Sequence, residues 1–206
     1  MKISAFDFDG TVTTKDTLIE FIKYACGTDR FYRCFLLYSP LLILMKLHLY
    51  PNFKVKQKIF AHLFTGVKTE TFDRLCTSFA RENRQLLRPL AIDAINTALH
   101  DGETVVIVSA SIDNWVRPFF TGKNILVIGT QIETRDGKVT GLFKTSNCYG
   151  PEKVRRIMEI FPDRGRYHLT AYGDSRGDKE LLAWADESHY RPFRQTLPSV
   201  QNNRQQ

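Results

Sequence analysis

Short apolar runs and helical patterns alternate along most of the chain. Four runs have the length and composition of buried parallel strands: residues 3–8, 104–108, 125–128 and 167–172. Helical periodicity covers four further segments: residues 86–99, 112–120, 152–161 and 179–185. Strands and helices in alternation predict an α/β fold, with a parallel sheet and helices on both of its faces. Asp136 and Gly137 break the alternation after the third strand and predict a β-hairpin there.

Residues 16–86 depart from this alternation. They read as helices throughout, and they stand between the first strand and the second. We therefore expect a core domain made of residues 1–15 and 87–206, with residues 16–86 inserted as an all-helical cap domain. Ligands bind parallel sheets beyond the carboxyl ends of the strands, so we expect the insert to lie over the site.

One segment of the insert, residues 34–45, carries no charge over twelve residues. Arg33 and Lys46 bound it, and Pro40 interrupts it. A helix that crosses a bilayer needs about 20 apolar residues, so this segment is too short to span one alone. We expect it to pack as a core helix of the cap. The alternative is a face that contacts a membrane or an apolar substrate.

The composition is that of a globular protein in a reducing compartment. The 206 residues are 43% apolar and 25% charged, which excludes collagen-like, disordered and disulfide-scaffold classes. The four cysteines are scattered, with no C-x-x-C pair: Cys26, Cys34, Cys76 and Cys148. The chain begins without a basic stretch followed by an apolar signal core. We therefore expect a cytoplasmic location.

The net charge of +7 is unevenly distributed along the chain. Residues 14–88 hold thirteen Lys and Arg against six Asp and Glu, and residues 191–206 hold three Arg and no acid, so the insert and the tail are the basic parts. This excess predicts an anionic partner at the insert. Because the chain contains no recognisable nucleic-acid-binding motif, we expect no nucleic acid partner.

Two carboxylates stand at the end of the first predicted strand. Asp7 and Asp9 are two residues apart, so on an extended backbone they share one side. Their mutual repulsion is costly unless a cation lies between them, and Mg²⁺ prefers carboxylate and phosphate oxygens. Gly10 allows a tight turn that presents backbone N–H groups to an anion. This pattern predicts a Mg²⁺ site at the tip of the strand.

Three further strand ends or helix starts carry polar residues. Asp174 and Asp178 follow the fourth predicted strand, and Ser109 ends the second. Asp174 can complete the metal site, while Asp178 either supports that site or only caps the next helix. Lys153 opens a helix just after Pro151, where the helix dipole disfavours a cation. The lysine is therefore either a surface residue or paired with an anion.

Four elements, in their order along the chain, resemble the signature of the haloacid dehalogenase-like hydrolases: DFDGTVT, VVIVSAS, a helix-opening lysine and GDSRGD. The resemblance extends from Asp7 to Asp178. A helical insert after the first motif is similar to the subgroup that contains phosphoserine phosphatase, subfamily IB. The resemblance implies a Rossmann-like core and a Mg²⁺-dependent phosphatase that works through a phosphoaspartate on a small phosphorylated substrate.

The same resemblance implies roles for the individual residues. Asp7 is the nucleophile, and Asp9 is the general acid and later the base. Mg²⁺ is held by Asp7, Asp174 and the backbone carbonyl of Asp9.

The remaining motif residues are implied to bind the phosphoryl group. Ser109 and Lys153 hold it, with Gly10 and Ala110 beside them. Asp178 orients the site.

The substrate is less well specified by the sequence. Asp16 stands nine positions after Asp7, where phosphoserine phosphatases place an acidic residue that binds the ammonium of the substrate. The second motif here reads Ser-Ala-Ser, whereas those enzymes usually have glycines after the serine. The substrate is therefore expected to be a phosphoserine-like small molecule, with serine specificity left open.

Two other interpretations remain. The insert is also similar to that of bacterial phosphatidylglycerophosphate phosphatases of the same superfamily, on residues 35–50 and the lysines that follow, Lys54, Lys56 and Lys58. This similarity implies a lipid phosphate substrate and peripheral membrane contact through the cap. The interpretation without catalysis is a basic module that binds anions or membranes and carries a structural Mg²⁺. No pattern in the sequence indicates an oligomeric state.

Overall fold

The computed structural model describes residues 1–47 and 49–194, and within them the chain forms seven strands and nine α-helices. The strands are β1 (Lys2–Phe6), β2 (Thr104–Ile112), β3 (Ile125–Thr130), β4 (Ile132–Arg135), β5 (Lys138–Phe143), β6 (His168–Gly173) and β7 (Glu187–Tyr190). The helices are α1 (Thr17–Cys26), α2 (Thr28–Leu37), α3 (Ser39–Lys46), α4 (Asn52–Phe64), α5 (Thr69–Glu82), α6 (Pro89–His100), α7 (Asp113–Val116), α8 (Pro151–Ile160) and α9 (Lys179–Trp184). The final part of the predicted core segment, residues 195–206, lies outside the described residues.

The main sheet is parallel, with the strand order β3-β2-β1-β6-β7. β4 and β5 form a separate antiparallel pair. The two residues between them, Asp136 and Gly137, both have positive φ angles, 50° and 70°. This is the backbone that a two-residue hairpin requires. The predicted parallel sheet and the predicted hairpin are both confirmed.

Helices cover both faces of the sheet, as the sequence predicts. Val105 and Ile107 of β2 belong to one hydrophobic cluster, which includes α6. Val106 and Val108 belong to a second cluster, which includes α8 and α9. Successive strand residues point to opposite faces, so this alternation places α6 on one side and the other two helices on the opposite side.

The helices between β1 and β2 pack around aromatic rings. Five phenylalanines of α1, α4 and α5 contact one another: Phe21, Phe60, Phe64, Phe72 and Phe79. This aromatic group also contacts α7, outside the insert, because Phe21 stacks on Trp115 with 4.7 Å between the ring centroids. The helical insert and one face of the sheet therefore share a continuous hydrophobic cluster.

The expectation that residues 34–45 form a core helix is confirmed only in part, because the segment is divided between two helices and one side of it is exposed. α2 ends at Leu37 and α3 begins at Ser39, because Pro40 cannot continue the helix before it. Cys34 of α2 is buried, and Leu41, Leu42 and Met45 of α3 pack partly buried against the core. The exposed apolar residues of the segment are Leu36, Leu37, Ile43 and Leu44. Among the described residues, no helix is long and apolar enough to cross a bilayer.

One strand of the sheet is absent from the sequence prediction. β7 adds to the edge of the sheet by pairing with β6, and its residues Glu-Ser-His-Tyr are mostly exposed. An exposed edge strand needs no apolar run, so its sequence carries little signal.

Candidate active site

Three buried carboxylates meet where β1 and β6 end. Asp7, Asp174 and Asp178 each place an oxygen within 4.8 Å of the others. The N–H of Asp7 donates to the carbonyl of Tyr172 at 2.9 Å, which extends the pairing of β1 with β6 by one residue. Because the two strands are adjacent and parallel, their carboxyl ends lie side by side and bring the three side chains together.

Lys153 is the cation of this cluster. Its Nζ lies 2.5 Å from Asp7 Oδ1 and 2.7 Å from Asp178 Oδ1, and the residue is only 2% exposed. The helix that carries it, α8, begins at Pro151 after Gly150, whose φ of 61° turns the chain into the site. Lys153 is thus a paired interior residue and not a surface lysine.

Burial and charge act on these groups in opposite directions. Burial raises the pKa of Asp7 to about 7, although the Lys153 ammonium works to lower it. Burial works to lower the pKa of Lys153, but Asp7 and Asp178 outweigh it and raise that pKa. For Asp178, burial works to raise the pKa, but Lys153 and the hydrogen bonds from Ser175 outweigh it and lower that pKa. The cluster holds more negative than positive groups and favours a further cation.

Asp178 holds both the lysine and the turn after β6. Its Oδ2 accepts hydrogen bonds from the N–H groups of Asp174 and Ser175, at 3.1 and 3.0 Å, and from Ser175 Oγ at 2.9 Å. Its side chain makes no capping bond to α9. The alternative that Asp178 only caps the following helix is therefore wrong.

Asp7 and Asp174 are the carboxylates suited to a divalent metal. Asp178 is bonded to Lys153 and to the backbone of the turn after β6. Asp174 instead contacts Arg194 Nη2 at 2.5 Å and Thr11 Oγ1 at 3.5 Å, so a metal ion bound there would take the place of the Arg194 cation. Gly10 leaves space beside them, since a Cβ at Gly10 would lie 2.6 Å from Asp174 Oδ2. Two buried carboxylates at a glycine turn fit Mg²⁺, which takes hard oxygen ligands.

The Asp9 carboxylate lines the same cavity but is bound by residues outside the acidic cluster. Its Oδ1 accepts from the N–H and the hydroxyl of Thr17, at 2.7 and 2.6 Å. Its Oδ2 accepts from Ser111 Oγ at 2.6 Å and from Ser109 Oγ at 3.2 Å. Trp115 Nε1 in turn donates to Thr17 Oγ1 at 3.2 Å. The first residue of α1 and the end of β2 therefore hold the Asp9 carboxylate jointly.

Sequence reasoning missed Thr17, Ser111 and Trp115. Ser111 had a usable signal, because it stands two residues after Ser109 and so shares its side of an extended strand. Thr17 and Trp115 meet only through the packing of α1 on α7, which no local pattern shows.

A cavity of about 210 Å³ opens onto these groups. It is smaller than a typical drug-sized site and has room for a phosphate with a small attached group. Its walls include the following predicted residues: Asp7, Asp9, Asp16, Ala110, Lys153, Asp174 and Asp178. Asn52 and Lys56 of α4 complete the wall on the side of the insert. Ser109 and Gly10 are not among the residues that line the cavity. Ser109 contacts Asp9, which lines it, and Gly10 lies against Asp174, which also lines it.

Asp16 lies at the exposed edge of the cavity. Its Oδ1 accepts from the N–H of Leu18 at 2.9 Å, so the side chain caps α1. A capping carboxylate keeps its second oxygen for another partner.

The model of the family described as haloacid dehalogenase-like hydrolase matches residues 5–183. This chain belongs to the haloacid dehalogenase-like hydrolases. The family resemblance carried by the four motifs is thereby confirmed, and so is the prediction of a hydrolase. The protein CicA of Caulobacter vibrioides is 38% identical over 195 residues, which cover 92% of this chain and 86% of CicA.

Solved structures show the same haloacid dehalogenase-like fold. A protein of unknown function from Bordetella pertussis Tohama I has a TM-score of 0.79 at 19% identity, covering 91% of this chain and 88% of its own. A substrate-bound phosphoserine phosphatase has a TM-score of 0.64 at 17% identity, covering 92% and 85%. A phospho-aspartyl intermediate analogue of phosphoserine phosphatase has a TM-score of 0.59 at 18% identity, covering 91% and 84%.

Proposed function

We propose that this protein is a Mg²⁺-dependent phosphomonoester phosphatase in which Asp7 becomes transiently phosphorylated. The observation that carries the proposal is the buried Lys153, held between Asp7 and Asp178 at the wall of a small cavity. A carboxylate that attacks a phosphate dianion is repelled by it, and a fixed ammonium beside the attacking oxygen offsets that repulsion. Membership of the hydrolase family supports the same assignment.

The chemistry divides into two displacements. In the first, a carboxylate oxygen of Asp7 bonds to phosphorus, the ester oxygen departs, and Asp9 gives that oxygen a proton. In the second, water attacks the phosphorus of the phosphoaspartate, and Asp9 takes the proton of that water. Inorganic phosphate then leaves, and Asp7 and Asp9 return to their initial states.

The other predicted residues would bind the phosphoryl group and the Mg²⁺ that offsets its negative charge. We assign Ser109 and Lys153 to phosphoryl oxygens, with the backbones of Gly10 and Ala110 beside them. Mg²⁺, held by Asp7, Asp174 and the carbonyl of Asp9, would supply positive charge to the same oxygens.

The edge of the cavity fits a polar substrate. Asp16 provides an exposed carboxylate, while Lys56 and Asn52 provide a cation and an amide from α4. An amino group beside the phosphate would meet Asp16, which supports a phosphoserine-like molecule. We place the enzyme in the reducing cytoplasm, because all four cysteines are free thiols.

A lipid phosphate of the phosphatidylglycerophosphate type is the second candidate substrate. The observation that favours it is the position of Lys56 and Asn52 at the cavity, directly after the exposed apolar helix α3 in the chain.

We expect phosphate release to require Mg²⁺ and to pass through an acyl phosphate. The purified chain should be assayed on phosphoserine, sugar phosphates, phosphocholine and phosphatidylglycerophosphate, each with Mg²⁺ and with a chelator. The phosphorylated enzyme should lose its label to hydroxylamine at neutral pH, as an aspartyl phosphate does. Full activity in chelator, or a label that resists hydroxylamine, would contradict the proposal. Salt-sensitive binding to anionic vesicles without any turnover would favour the non-catalytic module.

We expect Ser111→Ala to lower kcat about tenfold, because the substitution removes a hydrogen bond to a charged group, a contact typically worth about 1.5–3 kcal/mol. Ser111 touches the reaction only through Asp9 Oδ2, so it is a positioning residue. Ser111→Thr keeps a hydroxyl and should retain most of the activity. The pH dependence of kcat should change in the alanine variant and not in the threonine variant. Equal kinetics for both variants would show that the hydroxyl does not position Asp9.

A further inference from the structure

Exposed apolar side chains are concentrated on α2, α3 and the residues just after α3. Six of them define what we term the apolar face: Leu36, Leu37, Ile43, Leu44, Leu47 and Leu49. Their exposed fractions range from 37% to 75%. A helix of a globular protein normally has one apolar stripe and a polar opposite face. α3 is apolar on both sides, since Leu41, Leu42 and Met45 pack against the core while Ile43 and Leu44 are exposed. Apolar surface gathered in this way marks an interaction site.

The chain around the apolar face is strongly basic. Residues 30–69 contain seven Lys and Arg and no Asp or Glu. Arg33, Lys46, Lys54 and Lys58 are exposed. In the part of the chain that the structure describes, no salt bridge involves any of these four cations. Their charge is therefore available to an external anion.

The exposed apolar side chains and the exposed basic side chains together indicate which kind of partner fits this surface. A second copy of this chain would bring like charges together, and a nucleic acid would leave the leucines without a function. An anionic bilayer satisfies both, because apolar side chains enter the boundary of the acyl chains while Lys and Arg remain at the lipid phosphates. Helices too short to span a bilayer, as α2 and α3 are, can still lie at its surface.

We propose that the apolar face docks this protein on the surface of an anionic lipid bilayer. α3 then lies along the headgroup boundary, with Lys46 at its last turn directed to lipid phosphates. Asn52 and Lys56 of the next helix line the cavity, so docking would bring the cavity close to the membrane. Docking itself does not depend on catalysis. Only the further step, in which a phosphomonoester reaches Asp7 from the membrane, rests on the proposed function.

Sedimentation of the full chain with vesicles tests the docking. We expect binding to vesicles of phosphatidylcholine mixed with phosphatidylglycerol, weaker binding as salt increases, and little binding to phosphatidylcholine alone. Leu36→Asn with Leu47→Asn should reduce the partition coefficient at least tenfold. A matched pair on exposed leucine and isoleucine elsewhere, Leu142→Asn with Ile160→Asn, should bind as the parent does. Circular dichroism and hydrolysis of p-nitrophenyl phosphate should be unchanged in both pairs, which shows that they fold.

Three results would overturn the docking proposal. The first is recovery of the parent chain in the supernatant and not with the sedimented vesicles. Equal binding of the two double variants is the second. The third is a parent dimer that Leu36→Asn with Leu47→Asn converts to a monomer without any vesicle binding, because the face would then join two copies. Repeating the sedimentation with Asp7→Asn separates the two proposals, since a catalytic failure leaves docking intact.

Discussion

Asp7→Asn should abolish phosphate release, with a loss of roughly four orders of magnitude or more in kcat. The amide has nearly the shape of the carboxylate, but its oxygen is a poor nucleophile and cannot form the phosphoaspartate. The substitution also removes one charge beside Lys153, whose second partner, Asp178, remains in place. We therefore expect a folded and inactive protein, as measured by phosphate release and by thermal unfolding.

The control for this substitution is Asp93→Asn. Asp93 lies on the exposed side of α6, away from the cavity, so the same chemical change there should leave kcat unaltered. Hydrolysis of p-nitrophenyl phosphate by the Asp7→Asn protein at the parental rate would remove Asp7 from the mechanism. Incorporation of a hydroxylamine-sensitive label into that variant would do the same.

The position of the site could be predicted from the sequence because it follows from sheet geometry. Asp7 and Asp174 each come directly after an apolar run, and adjacent parallel strands end at the same edge. The sequence also indicated Lys153 as a candidate, because a lysine in the first turn of a helix is disfavoured by the helix dipole unless it has an anionic partner. These features depend on local patterns and on one topological rule.

The details that the sequence did not provide depend on packing between distant segments. The direction of the Asp9 side chain is set by Thr17 and Ser111, which are more than ninety positions apart along the chain. The exposure of α3 depends on where the chain goes after Pro40, and an apolar helix has the same composition whether it is covered or not. The edge strand β7 carries mixed polar residues and little periodicity.

Lys153→Met should reduce both stability and activity. The methionine is similar in length and apolar, so it leaves Asp7 and Asp178 buried without their shared cation. Removing one partner of a buried ion pair typically costs about 3–5 kcal/mol in the free energy of unfolding. Loss of a group that stabilises the transferring phosphoryl charge should also lower kcat by roughly 10²–10³. Urea unfolding without Mg²⁺ and phosphate release with Mg²⁺ measure the two effects.

A double variant separates the two contributions. In Lys153→Met with Asp178→Asn, one buried charge is removed together with the lysine, and the asparagine oxygen can still accept from the N–H groups of Asp174 and Ser175. The double variant should therefore be more stable than Lys153→Met alone, because residues in contact do not contribute independently. Its activity should stay low, since the ammonium is still missing. If the two substitutions instead add in full, Lys153 and Asp178 do not act as an ion pair, and the lysine would stabilise the fold only through its packing.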